Sequence, residues 1–167
     1  ERIGGMRIIS GKCRGQRLAE FDTMDIRPTT DRVRESLFNL ISDYVMDANV
    51  LDLFGGSGAL SLESISRGAL SSTICDIDQK AIELINYNAE HLKLADKMRI
   101  LNKSAEQFLD ENKNSFDIIF LDPPYNKGII APTIEQIMKA KALSQDGIIV
   151  LESDNTDEHG EFSGLMV

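Results

Sequence analysis

The sequence predicts an α/β domain built on a doubly wound, mostly parallel sheet, and three observations carry that reading. From Asn49 onward, short apolar runs alternate with helix-patterned segments. One run, Ile118-Ile119-Phe120-Leu121, is continuously apolar, as expected of a strand covered on both faces. The first run leads directly into Gly55-Gly56-Ser57-Gly58, a strand-to-helix turn rich in glycine. The length of 167 residues suits one domain. With 42% apolar and 27% charged residues, the chain reads as globular and neither disordered nor collagen-like.

Met6 to Leu18 reads as a hairpin, with short extended pieces around the turn-prone Ser10-Gly11-Lys12 and Arg14-Gly15. Pro28 stops extended structure, and Thr29, Thr30 and Asp31 are N-cap candidates for a helix. Val33, Leu37, Leu40, Ile41 and Tyr44 recur at helical spacing and predict its buried face. Strands are expected at Val50–Phe54, Thr73–Asp76, Arg99–Asn102, Asp117–Leu121 and Ile148–Glu152. Helices Leu60–Ser66, Gln79–Leu94, Ala105–Asn112 and Pro132–Leu143 fill the gaps as crossovers.

No apolar run reaches the ~18 residues needed to span a bilayer, and the N-terminus lacks the apolar core of a signal peptide. A soluble, cytoplasmic protein is expected. Cys13 and Cys75 stand far apart without CxxC spacing, which supports neither a disulfide framework nor a zinc site, and no metal is expected. The 18 basic and 27 acidic side chains leave a net charge of −9, which at first argues against a nucleic-acid partner. The charge is unevenly spread, however. Arg2, Arg7, Lys12, Arg14 and Arg17 occur with no acid between Arg2 and Ala19. Residues 1 to 36 hold eight basic and six acidic side chains, so the rest of the chain holds ten against 21. A basic arm on an acidic body is a different object from a uniformly acidic protein.

In doubly wound sheets a ligand lies beyond the carboxyl ends of the strands, where strand order reverses. Three of those ends are chemically marked. The first strand runs Val50-Leu51-Asp52-Leu53-Phe54 into the glycines. The dinucleotide pattern GxGxxG would need glycine at Ser61, and a Walker loop would need Ser or Thr after Gly11-Lys12, where Cys13 stands. Asp52 would repel a polyanion but suit an amino group, such as that of the methionine moiety of S-adenosylmethionine. Asp76, 20 residues past Gly56, is placed to accept from both hydroxyls of an adenosine ribose. A helix cap is the competing role for Asp76, and the favoured one for Asp78. The fourth strand ends in Asp122-Pro123-Pro124-Tyr125. There an acid and a rigid proline carbonyl can accept both hydrogens of an exocyclic NH2 while Tyr125 stacks on its ring.

At these residues the chain resembles the class I S-adenosylmethionine-dependent methyltransferases of the Asp/Asn-Pro-Pro-Tyr group. Within it, the chain is similar to the RsmD type, bacterial 16S ribosomal RNA guanine-N2 methyltransferases. The likeness extends through Met6-Arg7-Ile8-Ile9-Ser10-Gly11 with Arg14-Gly15, Arg27-Pro28-Thr29-Thr30-Asp31-Arg32-Val33-Arg34-Glu35, Phe38-Asn39, Asp52 to Leu60, and Ser66-Arg67-Gly68-Ala69. The resemblance implies a Rossmann-like fold and S-adenosyl-L-methionine as cofactor. Asp52, Phe54, Gly55, Gly56 and Gly58 would line its methionine side, with Asp76 on the ribose and Ile77 against the adenine. Ser104 and Ala105 would border the adenine edge. Asp122, Pro123, Pro124 and Tyr125 would hold the guanine, with Asp122 also beside the cofactor. Arg7, Lys12, Arg14, Arg17, Arg27, Thr30 and Arg34 would meet RNA, although capping and solvating a helix is the plainer role for the last three.

The resemblance also implies boundaries. Residues 1–5 read as a tag remnant, 6–46 as a basic hairpin and helix that contacts RNA, and 47–167 as the methyltransferase domain. That domain is expected to be C-terminally truncated, with the strand hairpin after the fifth strand missing. Asp76 stands where the family usually has glutamate, so it must sit closer to a ribose. The partner is 16S ribosomal RNA or a small-subunit particle, and a monomer is expected. His91 and His159 are not placed to act as a base. Two rival readings remain. One keeps fold and cofactor but acts on DNA adenine N6 or a protein glutamine amide; the other is a non-catalytic nucleic-acid-binding module.

Overall fold

The structure, a computed structural model, describes residues 5–20, 31–123 and 128–151. Five strands form one sheet: β1 (Asn49–Asp52), β2 (Ser71–Cys75), β3 (Met98–Leu101), β4 (Phe116–Leu121) and β5 (Leu143–Leu151). Their order is β3-β2-β1-β4-β5, and every pairing is parallel. Helices α1 (Asp31–Leu40) and α2 (Ser42–Val45) precede the sheet. The crossovers are α3 (Ala59–Ser66), α4 (Gln79–His91), α5 (Ala105–Glu111) and α6 (Ile130–Lys139). Strand order reverses between β1 and β4, which is where a ligand crevice is expected.

Side-chain alternation along the strands divides the core into two layers. Val50, Ile118, Phe120 and Ile148 face a layer with Phe38, Ile41, Leu62, Ile65 and Ala89. Leu51, Ile119, Leu121 and Ile149 face the opposite layer with Phe108, Leu109, Ile134 and Ile137. Phe38 and Phe120 are fully buried with ring centroids 6.2 Å apart, and each contributes about 1.5–3 kcal/mol by leaving water.

Element positions follow the sequence reading closely, with two corrections. Of the five apolar positions at helical spacing, Ile41 is buried and Leu37 packs half-buried against the core, whereas Val33, Leu40 and Tyr44 are exposed; the buried stripe is Arg34, Phe38, Ile41 and Val45. Apolar counting misses it because one member is an arginine, admitted to the interior by Asp31 and Glu63, and because α1 ends before Ile41. Leu143 begins β5 instead of ending α6, and it pairs with Phe116 across an irregularity between Phe116 and Ile118. The exposed Gln145-Asp146 stretch carries no strand alternation, so periodicity could not reveal that start. Pro132 sits in the first turn of α6, where its missing N–H costs no helical bond.

The hairpin expected at Met6–Leu18 is present as an antiparallel bridge between Arg7 and Arg17. Ile8 N donates to Gln16 O, Gly15 N to Ile8 O and Leu18 N to Met6 O. Gly11 lies in the left-handed region (φ +88°), and a Cβ there would come within 1.9 Å of the Ser66 carbonyl oxygen. Only glycine lets this turn press against α3. The segments assigned to a tag, residues 1–5, and to a C-terminal hairpin after the fifth strand lie outside the described residues, apart from Gly5.

Candidate active site

The parallel register brings the three marked strand ends together. Asp52 of β1 pairs with Ile74 of β2 and with Phe120 of β4. Asp76 and Asp122 each lie two residues beyond those partners, so both stand at the level of Phe54 on the strands flanking β1. Three carboxylates distant in sequence thus share one end of the sheet at the switch point. Asp122 is half-buried and Pro123 buried; Pro124 and Tyr125 lie outside the described residues.

Asp52 is the buried member, 1% exposed. Its Oδ1 accepts from Phe54 N at 3.4 Å and its Oδ2 from the Ser61 hydroxyl at 3.3 Å, while Ser72 Oγ lies 2.8 Å from Ser61 Oγ. Burial dominates these bonds and pushes the Asp52 carboxyl up to about 7. A buried carboxylate with that tension is stabilised by a cation at its free side. The residue that excluded a dinucleotide fingerprint, Ser61, therefore serves Asp52 directly.

The turn after β1 is shaped by packing. A Cβ on Gly55 would lie 2.3 Å from Ile74 Cγ2, so the turn can press onto β2 only as glycine. Gly56 N donates to Asp76 Oδ2 at 2.9 Å, which ties the loop to the second strand end, and a Cβ on Gly56 would meet only the Phe54 oxygen at 4.0 Å. Gly58, at φ +80°, precedes the first residue of α3. Asp76 Oδ1 accepts from Asp78 N at 2.8 Å, and Asp78 caps α4 by accepting from Lys80 N. The cap role assigned to Asp78 is the observed one.

Ile77 is 77% exposed beside this carboxylate. Asn102 Nδ2 donates to the carbonyls of Asp76 and Ile77, at 3.0 and 3.2 Å, and holds their backbone. Ser104 caps α5 in a reciprocal capping box with Gln107, and Ala105 is the first residue of that helix; both are half-buried. The Ser104 hydroxyl is thus committed to its helix, and its backbone remains as the edge.

The arm presents Arg7, Lys12, Arg14 and Arg17 at the surface, with Arg7 3.5 Å from Asp31. Arg34 does not join them. Its side chain is fully buried, donating to the Arg7 carbonyl and to Asp31 and lying 3.7 Å from Glu63, so it offers no surface to RNA. Arg27 and Thr30 lie outside the described residues. Glu63 is equally buried and holds the arm, accepting from Ile9 N at 2.8 Å, Ser10 N at 3.1 Å and Arg67 Nε at 2.9 Å. Sequence patterning could not find Glu63, Asn88 or Asn102, because a polar residue in a helical or loop segment reads by default as solvated.

Among the described residues, no group of three or more metal-ligating side chains occurs, and no helix is long and apolar enough to cross a membrane. Comparison with known proteins agrees with this geometry. The family model described as "Conserved hypothetical protein 95" matches residues 6–165. Ribosomal RNA small subunit methyltransferase D of Escherichia coli K12 is 39% identical over 151 residues, covering 90% of this chain and 76% of that protein. The protein of the same name from Haemophilus influenzae is 33% identical, covering 90% and 80%. The solved structure of the Escherichia coli protein yhhF, 38% identical, superposes with a TM-score of 0.80 over 87% of this chain and 79% of that one. A sheet with acids at three adjacent strand ends, a glycine turn and this likeness along nearly the whole chain lead to one assignment: the chain belongs to the Conserved hypothetical protein 95 family, the RsmD-type methyltransferases.

Proposed function

We propose that the protein methylates the exocyclic N2 of a guanine in 16S ribosomal RNA, using S-adenosyl-L-methionine. The observation that carries this reading is that Asp52, Asp76 and Asp122 gather at one end of the sheet, Asp76 and Asp122 two residues beyond the register partners of Asp52 on the strands that flank β1. The names of the relatives supply the RNA class, and the exposed basic arm supplies a surface for phosphates. The domain reading follows, with the arm and α1 as the RNA-contacting extension and the sheet as the catalytic body.

The residues present fit the cofactor. Asp52, buried with a raised affinity for protons, favours an ammonium group. Asp76, pre-set by Gly56 N and Asp78 N, retains lone pairs for ribose hydroxyls. The exposed Ile77 side chain offers an apolar cover for adenine, with Ser104 and Ala105 at its edge. Bound there, the cofactor supplies an electrophilic methyl group and leaves as a neutral thioether. The chain's own work is orientation. Asp122 and the Pro123 carbonyl would accept the two amine hydrogens and aim the N2 lone pair; the roles assigned from the sequence to Pro124 and Tyr125 concern residues outside the described ones. As the new C–N bond forms, the amine becomes acidic, and Asp122 or water takes its proton. Guanine N2 faces a groove in paired RNA, so the target base must be unpaired or flipped.

Transfer of tritium from labelled cofactor to 16S ribosomal RNA or small-subunit particles, followed by nucleoside analysis, tests this reading. N2-methylguanosine is expected. N6-methyladenosine, or label in protein, would overturn it.

Asp52 makes cofactor binding pH-dependent. Its carboxyl is protonated in the empty site below about pH 7 and must ionise to meet an ammonium group. Affinity for S-adenosylhomocysteine should therefore rise between pH 5.5 and 7, with proton release visible by calorimetry in buffers of different ionisation enthalpy. Asp52→Asn should flatten that rise. The same shift acts oppositely on folding. The folded state binds the proton more tightly than the unfolded chain, so stability of the empty protein should fall as pH rises from about 4 to 7 and then level off.

For the arm, replacing Arg7, Lys12 and Arg14 together by alanine should weaken RNA binding and reduce the slope of log affinity against log salt by roughly two to three. An unchanged slope would remove the arm from the interface.

A further inference from the structure

We propose that Asn88 is a positioning residue that couples RNA on the basic arm to cofactor binding at the glycine turn, an inference that rests on the function proposed above. Asn88 lies on α4 and is fully buried. Its Oδ1 accepts from Ala19 N at 2.8 Å, and its Nδ2 donates to Ala19 O at 3.1 Å, so the amide pairs with both backbone groups at the end of the arm. The same Nδ2 lies 3.4 Å from the carbonyl oxygen of Ser57, in the middle of the glycine turn. One side chain therefore touches the arm and the cofactor loop together.

The loop is built to register that contact. Ser57 stands between Gly56, whose N–H holds Asp76, and Gly58, whose N–H closes the turn onto Gly55 O at 2.8 Å. Both flanking glycines are in the left-handed region, so the orientation of the Ser57 carbonyl sets the turn on either side. Ile85, three residues before Asn88 on α4, fills the space beside Gly55 and Gly58. Glu63 and Ser66 clamp the Ile9–Cys13 stretch to α3, where they hold the arm without contacting the turn. Phosphates that draw on Arg14 and Arg17 pull on the strand leading to Ala19. Through Asn88 that pull acts on Ser57 and on the N–H that presents Asp76.

Coupling is reciprocal and has a measurable size. Affinity of the protein for S-adenosylhomocysteine is measured with and without saturating in vitro transcribed 16S ribosomal RNA, and RNA affinity with and without S-adenosylhomocysteine. In the unaltered protein the two ratios should agree and lie between about 5 and 150. In Asn88→Ala the ratio should fall to within about twofold of one. Ala19→Pro removes the N–H that Asn88 Oδ1 accepts while leaving α4 intact, and should lose the coupling while cofactor affinity without RNA stays within about twofold. Thermal melts establish that each variant is folded. A purely structural asparagine would lower stability in both variants and leave the ratio unchanged, which would overturn the proposal, as would a ratio of one in the unaltered protein. Failure of the unaltered protein to bind either S-adenosylhomocysteine or RNA would instead overturn the proposed function.

Discussion

Asp122→Ala should reduce methyl transfer by at least on the order of a hundredfold while leaving affinity for S-adenosylhomocysteine close to that of the unaltered protein. The loss follows from orientation: without the carboxylate, one of two acceptors for the amine hydrogens is gone, and the nitrogen lone pair is no longer aimed at the methyl group. The affinity survives because Asp52 and Asp76, on the neighbouring strands, carry the proposed polar contacts to the cofactor. Asp122→Asn is a sharper variant, since it keeps the shape but can turn an NH2 group toward the substrate amine. It should also fall well below the unaltered rate. Single-turnover transfer and calorimetry on the same preparations separate the two effects. An equal loss of cofactor binding would show Asp122 to be a cofactor ligand first.

The largest effect on stability is expected from Glu63→Ala. Glu63 is buried and accepts from Ile9 N, Ser10 N and Arg67 Nε, and it faces the buried Arg34 guanidinium. Its removal takes the acceptor from two half-buried backbone donors and leaves Arg34, among the described residues, with Asp31 as its remaining carboxylate. Breaking a buried pair of this kind costs about 3–5 kcal/mol, against a total of roughly 5–15 kcal/mol for a domain. The melting temperature should drop by roughly 6–20 °C. Glu63→Gln, which keeps the shape and one acceptor, should fall between the two. Denaturant titration checks the size, and limited proteolysis within residues 5–20 checks whether the arm has come loose. A loss under about 1 kcal/mol would mean that the arm is held by Ser66 and Asn88 without help from Glu63.

The two predictions divide along the line between local and tertiary information. Asp52, Asp76 and Asp122 were legible because each stands in or at the end of an apolar run, Asp52 three residues before the glycines and Asp122 directly before two prolines. Strand ends are set locally, so the acids could be placed at the mouth of a parallel sheet before any coordinates. Asp78 was legible for the same reason: a cap is a contact across two residues. Phe54, Gly55 and Gly56 belong with these, since the turn after β1 is written in consecutive residues.

Arg34 shows where local reading stops. Its place in a helix beside Asp31 and Glu35 looked like an exposed charge, yet it is interior because a carboxylate 29 residues away in sequence lies against it. The same holds for Val33, Leu40 and Tyr44, apolar residues at helical spacing left outside because the neighbouring stripe meets the sheet. Asn88 and Asn102 are further cases. Each binds backbone distant in sequence, and an amide carries no periodic signal that would announce it.

The sequence by itself determined the alternation of strands and helices, the doubly wound class, the three acidic strand ends and the basic arm, because these depend on periodicity, turn chemistry and charge over a few residues. Only the tertiary structure decided which polar groups are interior. It put Arg34 and Glu63 inside, set Ser61 on Asp52, and joined arm to glycine turn through Asn88. The physical reason is that a buried polar side chain is stable only with partners, and those partners come from segments that meet only when the chain has folded.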